Sequence, residues 1–250
     1  MKHLELGDGP ERILWLHGGN VAGWMWGEQL PAFADYRSIV PDFPGFGASN
    51  DERWESIAST ADGIAALLEG TPAHVVGLSL GSSVALELAA RHPGLVSSLF
   101  LASAQLTAPL RRDMLAARVL LAFWNQRGFW TTLARSYGLA GGDAELFVST
   151  GLGIRKETAE AIYAEVSRGV AGATLAAIDT PAILVAGEKD SSAITRGSLQ
   201  RGRAEIRGAI TAVAPGMHHQ WNIENVEMFN QSLRTWLTSR EAASSLGTRI

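Results

Sequence analysis

Short, wholly apolar runs recur along this chain, and each one stops at turn-forming residues. Ile13-Leu14-Trp15-Leu16 stops at His17-Gly18-Gly19, and Ser38-Ile39-Val40 leads into Asp42-Phe43-Pro44-Gly45. His74-Val75-Val76 leads into Gly77-Leu78-Ser79, and the run from Val96 to Leu101 into Ala102-Ser103. Ala182-Ile183-Leu184-Val185 ends in Ala186-Gly187-Glu188-Lys189-Asp190, and Ile210-Thr211-Ala212-Val213 in Ala214-Pro215-Gly216. Runs without polar alternation suit strands buried on both faces, the condition of a parallel sheet covered by helices. Helical patterns fill the intervals. Ile57, Ala61, Ile64 and Leu68 share one face, Gly81 to Arg91 is rich in Ala, Leu and Glu, and Met228, Phe229, Leu233 and Trp236 form a stripe. The alternation predicts a doubly wound α/β sheet, with ligands at the carboxyl ends of its strands.

Residues 104–177 break the rhythm. Leu115, Val119, Leu120 and Phe123, then Leu133 and Tyr137, carry helical periodicity without a convincing strand. One crossover helix suffices between parallel strands. The surplus predicts a helical cap over 104–177, inserted into a core made of 1–103 and 178–250.

Composition narrows the function classes. A net charge of −4 with no basic tract offers nothing to a nucleic-acid backbone. The absence of cysteine excludes disulfides, thiolate metal sites and a cysteine nucleophile. The first residues lack a signal-peptide run, and no segment approaches the roughly 18 apolar residues of a membrane span. A cytoplasmic protein acting on a small molecule is expected, of open oligomeric state, with a frayed tail from Glu241 to Ile250.

Gly77-Leu78-Ser79-Leu80-Gly81 joins an apolar strand to an Ala- and Leu-rich helix. In that context the pattern G-x-S-x-G describes a sharp turn with the serine strained at its apex and glycines clearing the way for neighbouring backbone. The following N–H groups and the positive end of the helix point at the same place. Ser79 is therefore the candidate nucleophile, and a serine hydroxyl needs a base that is itself held by a third group. Of six histidines, His218 and His219 follow the last strand and are the candidates for the base. Asp190, closing the turn after the Ala182 strand, is the candidate acid, with Glu188 as competitor. The glycine pair after the first buried strand leaves Gly19 free to present its N–H to a carbonyl oxygen, with the N–H of Leu80 as second donor and Asn20 as a substitute for Gly19.

Together His17-Gly18-Gly19, Asp42-Phe43-Pro44-Gly45-Phe46-Gly47, Gly77-Leu78-Ser79-Leu80-Gly81, Gly187-Glu188-Lys189-Asp190 and His219 with Glu224 resemble the α/β-hydrolase superfamily, in its capped, single-domain, esterase-like branch. The resemblance implies His219 as base, because it stands five residues before Glu224 and His218 takes a position where relatives have glycine. It implies about seven strands rather than eight, since only His3 to Leu6 precedes the Ile13 strand. It also implies acyl transfer at Ser79, where halide-displacing relatives carry aspartate, with neither metal nor organic cofactor. An ester of an apolar or aromatic acid is the expected substrate, with Trp24, Trp124, Trp130 and Trp221 as candidate pocket residues beside Asn20. Arg111 and Arg112 are candidates for binding a carboxylate. Carbon–carbon, lactone or thioester hydrolysis by the same triad, or a non-catalytic receptor of this fold, are the alternatives.

Overall fold

The computed structural model describes residues 1–136, 139 and 141–247; Tyr137 and the last three residues lie outside them. The strands are β1 (His3–Leu6), β2 (Arg12–Leu16), β3 (Arg37–Pro41), β4 (Ala73–Leu78), β5 (Val96–Ala102), β6 (Ala182–Gly187) and β7 (Ile210–Ala214). They form one seven-stranded sheet in the order β1-β3-β2-β4-β5-β6-β7. β1 pairs antiparallel with β3, and all other pairings are parallel. Strand β1, in which His3 and Glu5 alternate with Leu4 and Leu6, is exposed at the edge, whereas β4 and β6 are buried along their whole length. This is why the inner runs carry no polar alternation.

The helices are α1 (Ile57–Leu67), α2 (Leu80–Arg91), α3 (Arg111–Ala122), α4 (Arg127–Ser136), α5 (Gly141–Gly153), α6 (Lys156–Val166), α7 (Gly172–Ala176), α8 (Leu199–Glu205), α9 (Trp221–Glu224) and α10 (Val226–Ser239). Local chemistry starts two of the long ones. The Ser56 hydroxyl accepts from the Ser59 N–H at 3.0 Å before α1, and Asn225 accepts from Met228 N–H at 3.0 Å before α10. Ala61, Ile64 and Leu68 are buried, as are Phe229, Leu233 and Trp236.

Helices cover both sheet faces. Leu184, paired in register with Leu101, meets α8 at Gly202. Phe100 precedes Leu101 and so points the other way, where its ring meets Phe229 of α10 at 5.4 Å. Between β5 and β6 the chain forms α3 to α7; α4 packs on α5 and α3 on α6, while α7 returns to lie against α2 and α8. The tail differs from expectation. Gly247 donates its N–H to the Val213 carbonyl at 2.7 Å, forming an antiparallel bridge on β7. An edge strand offers unpaired backbone groups, and the returning chain takes up one of them.

Two glycines decide whether β4 can turn into α2. A Cβ on Gly81 would collide with the Leu16 carbonyl, and one on Gly77 would lie 2.6 Å from the Gly81 oxygen. Both obstacles are backbone and cannot swing aside. Gly81→Ala is expected to lower the unfolding free energy by at least about 2 kcal/mol. Gly94→Ala, whose Cβ meets nothing within 4 Å, should stay within about 0.5 kcal/mol of the parent. Urea denaturation of the two variants provides the comparison.

Candidate active site

Ser79 sits between the end of β4 and the start of α2 with φ 54° and ψ −111°. Such a backbone is strained for any residue with a side chain. It is held there because the Ser79 N–H bonds the Ala102 carbonyl at 2.9 Å while the Ser79 carbonyl accepts from Ser82 and Ser83. Leu80 begins α2, so its N–H belongs to the first turn, where a helix leaves donors without carbonyl partners. Ser79 and Leu80 line a cavity of about 230 Å³ together with Gly19, Asn20 and His219. A Cβ on Gly19 would meet no protein atom within 4 Å. The space this glycine leaves open belongs to the cavity rather than to packing.

The β2 loop is fixed from behind. His17 is fully buried. Its Nε2 accepts the Phe43 N–H at 3.0 Å, and its Nδ1 lies 2.8 Å from the Gly18 carbonyl, so the ring is neutral with the proton on Nδ1. Burial pushes its pKa down to about 4, against weaker upward pulls from the Gly18 carbonyl and from Asp42. Asp42 in turn accepts from the N–H groups of Gly23 and Ala48, each at 2.7 Å. Further along, Asn222 Nδ2 donates to the Met25 carbonyl at 3.2 Å, and Gln29 Nε2 to the Asn222 carbonyl at 2.8 Å. The segment that follows Gly19 is thereby tied to α9, which follows His219.

Asp190 closes the turn after β6, its N–H bonded to the Gly187 carbonyl at 3.0 Å. A Cβ on Gly187 would strike the Met217 and His218 carbonyls, so this glycine lets the loop after β7 cross directly over the end of β6. That crossing sets His219 Nδ1 2.9 Å and 3.1 Å from the two oxygens of Asp190. The Asp190 side chain is 5 % exposed and that of His219 34 %. Burial alone would raise the carboxyl pKa. The His219 charge, the hydrogen bonds from His219 and the Ser191 N–H, and the nearby Ser103 hydroxyl outweigh it and hold Asp190 below its ordinary value. Burial likewise works to lower the His219 pKa, but the Asp190 charge and hydrogen bond win, and it lies above its ordinary value.

The neighbours of this pair are differently engaged. His218 is 62 % exposed, and its Nδ1 and N–H bond Glu224 at 2.8 Å and 2.7 Å. The interval to Glu224 thus describes a contact of His218, not of His219. Glu188 accepts the Gly216 N–H at 2.7 Å. Ser103 carries no carboxylate, and no motif in the sequence marks it. At φ 48°, it donates its hydroxyl to the His219 carbonyl at 2.9 Å. A second serine–histidine contact, Ser98 Oγ to His74 Nδ1 at 2.8 Å with Glu11 3.4 Å from Nε2, lies near the amino ends of β4 and β5. Ser98 and His74 are 1 % and 4 % exposed and take no part in the cavity.

Of the aromatic candidates, Trp124 lines the cavity; Trp24, Trp130 and Trp221 do not. Trp24 bonds Thr150 Oγ1 at 3.0 Å. Trp130 is buried behind Trp124, donating to its carbonyl at 2.5 Å. Trp221 is buried against Phe100 and Phe229. Phe46, Phe147, Ile154, Ala159, Ile162, Tyr163 and Val166 complete the apolar wall, beside Gln105 and Gln220. Ala159, Ile162 and Val166 recur at helical spacing on α6, a periodicity legible in the sequence but not distinguishable there from core packing. Arg111 and Arg112 are exposed and away from this wall. Among the described residues no group of three or more His, Asp or Glu is arranged to hold a metal ion, and no helix is long and apolar enough to cross a membrane.

Residues 13–230 match the model of the alpha/beta hydrolase family. The chain belongs to that family. An alpha/beta hydrolase superfamily protein of Gibberella zeae is 27 % identical over 93 % of this chain and 82 % of its own length. A pimeloyl-[acyl-carrier protein] methyl ester esterase of Nitrosospira multiformis is 34 % identical, the match spanning 56 % of this chain and 58 % of the relative. Among solved structures, the enol-lactonase of Burkholderia xenovorans superposes with a TM-score of 0.80 at 18 % identity, covering 95 % of this chain and 96 % of the other. A meta-cleavage product hydrolase of Pseudomonas fluorescens gives 0.79 at 20 % identity, covering 96 % and 94 %. These two likenesses establish the hydrolase fold.

Two titrations follow from this geometry. NMR titration of His219 should give a pKa above 6.5, and Asp190→Asn should bring it below 6.5, because burial then acts without the carboxylate charge. For His17 the sign is opposite. Its folded pKa lies below that of the unfolded chain, so stability is complete above about pH 6.5 and falls as the pH drops toward 4. His17→Gln keeps an acceptor for the Phe43 N–H without titrating, and should flatten that part of the acid slope in urea denaturation measured from pH 7 to 4.

Proposed function

We propose that this alpha/beta hydrolase cleaves a carboxylic ester of a small molecule through an acyl-enzyme on Ser79. The observation that carries the reading is His219, held from behind by Asp190, opening onto the same cavity as a serine strained at the head of a helix. His219 Nε2 accepts the proton of Ser79 Oγ as the oxygen attacks the ester carbonyl. Asp190 holds the ring with its proton on Nδ1 and stabilises the imidazolium that forms. The N–H groups of Gly19 and Leu80 receive the charge on the carbonyl oxygen, in a place where no solvent needs to reorganise. His219 then returns the proton to the leaving alcohol, and a water molecule, deprotonated by the same nitrogen, releases the acid and restores Ser79.

The lining favours an apolar acyl or aromatic group. Phe46, Trp124, Phe147, Ile154, Ile162 and Val166 supply the wall, and the polar groups gather around Ser79 and His219. In this reading the segment from α3 to α6 acts as a cap, since Trp124, Phe147, Ile154 and the inner face of α6 contribute much of the wall and the segment holds none of the reacting groups. The ester assignment draws support from the relative in Nitrosospira multiformis, which is named for a methyl ester. A carbon–carbon or lactone bond would use the same residues, and a receptor would need none of them to react.

A fluorophosphonate probe and p-nitrophenyl esters of graded chain length test the reading together. Wild type is expected to be labelled and to turn over. Ser79→Ala should lose both, with turnover below about a thousandth. His219→Ala should match it, whereas His218→Ala should keep most activity. Labelling without ester turnover would reject the ester assignment and leave the nucleophile standing.

The pH profile has a definite sign. The base works only when neutral, and Asp190 raises its pKa, so kcat/KM should climb about tenfold per pH unit in acid and level off with a midpoint above 6.5. A profile flat down to pH 4 in folded protein would refute a histidine base.

A further inference from the structure

The cavity above Ser79 has a neighbour. A cleft of about 350 Å³ lies between α3 and α6, lined mainly by apolar surface of Met114, Ala117, Leu121 and Ala164. Gln105, Tyr163 and Val166 line the cleft and the catalytic cavity alike. α6 is the partition, and its helical spacing explains how. Ala159 and Ile162 look into the cavity, Glu160, Ala164 and Ser167 border the cleft, and Tyr163 and Val166 stand between and belong to both. The remaining wall residue, Gln105, is placed by its neighbours in sequence. Leu106 is fully buried, and its N–H is bonded to Ser198 Oγ at 2.9 Å. The backbone beside Gln105 is therefore fixed, and its side chain supplies the adjustable part of the wall that the two spaces share.

Size gives the arrangement a consequence. At roughly 30 Å³ per water-sized unit, the catalytic cavity of about 230 Å³ holds about eight heavy atoms. An ester group with a short acyl chain fills it. The cleft offers space for about twelve more by the same measure. Its rim carries Arg118 and Glu160, so a long chain would meet apolar surface along its length and solvated charge at its end.

We propose that the α3–α6 cleft is the distal half of a bipartite substrate site, entered at the Gln105–Tyr163–Val166 neck, which takes the outer part of an unbranched acyl chain too long for the catalytic cavity. The proposal rests on the reading of the Ser79 cavity as the substrate site and names the substrate class as long-chain acyl esters. Ala164 borders the cleft and not the cavity, so Ala164→Trp fills the distal half alone. Ala117→Trp does the same from the α3 side, should the first variant fail to fold.

The test compares dodecanoyl with butanoyl compounds in two measurements. In hydrolysis of p-nitrophenyl esters, the filled variant should keep kcat/KM for the butanoate within about twofold and lose at least tenfold on the dodecanoate. In calorimetric titration of sodium dodecanoate into Ser79→Ala, the double variant Ser79→Ala/Ala164→Trp should bind at least tenfold more weakly. Equal dodecanoate affinity in the two proteins overturns the bipartite site, as does equal loss on both esters in both tryptophan variants. A wild type that hydrolyses no ester, yet whose dodecanoate binding is weakened by Ala164→Trp, would overturn the esterase reading and uphold the long-chain site.

Discussion

The approach of Gly81 to the end of β2 is the constraint on which the rest of the site depends. Because α2 begins in backbone contact with Leu16, the turn after β4 and the loop after β2 end side by side. Ser79, Leu80 and Gly19 then face one cavity. A strained apex of this kind costs of order 1–3 kcal/mol, and it persists only where its surroundings leave no alternative. Here the Ser79 amide is bonded to the carbonyl of Ala102 on the adjoining strand, and the first turn of α2 takes its carbonyl. The strands on both sides are fully buried at this end, so relaxing the turn would mean pulling the sheet apart.

The second requirement is a carboxylate that stays ionised while buried. Asp190 meets it with hydrogen bonds from His219 and the Ser191 N–H, and in return it raises the proton affinity of His219. The Ser98–His74–Glu11 group shows that contact between the right residue types is not enough. Its serine and histidine are sealed near the amino ends of β4 and β5, where burial lowers the His74 pKa first of all. Neither Ser98 nor His74 lines the cavity above Ser79. The histidine–carboxylate contact of His74 and Glu11 is also longer, 3.4 Å against 2.9 Å in the His219–Asp190 pair.

Much of the architecture was legible because burial on both faces leaves an unmistakable pattern. The apolar runs at Ile13, His74 and Ala182 are inner strands, and the turn residues behind them carry Gly19, Ser79 and Asp190. Spacing was a poorer guide where two chemically alike residues stand together. Glu224 bonds His218, while His219 faces Asp190, and the interval alone does not say which of two adjacent rings turns inward. The tryptophans illustrate the same difficulty. Trp124, Trp130 and Trp221 look alike in sequence, yet Trp124 borders the cavity and the other two are packing. An aromatic ring is equally suited to either task, and the choice depends on which elements meet over it.

What the sequence by itself determined is local and periodic. It specified the strands, the helices that alternate with them, and the glycines without which β4 cannot turn into α2. These follow from hydrophobic period and backbone sterics, which act over a few residues. What only the tertiary structure decided is which distant loops converge. Gly187 gives no sign in sequence that the chain after β7 will cross it, nor Ser103 that it will hold the His219 carbonyl. Nor does the spacing on α6 reveal that this helix divides one cavity from another. Such features arise from contacts between segments far apart in the chain, and those contacts exist only once the sheet has set the order of its strands.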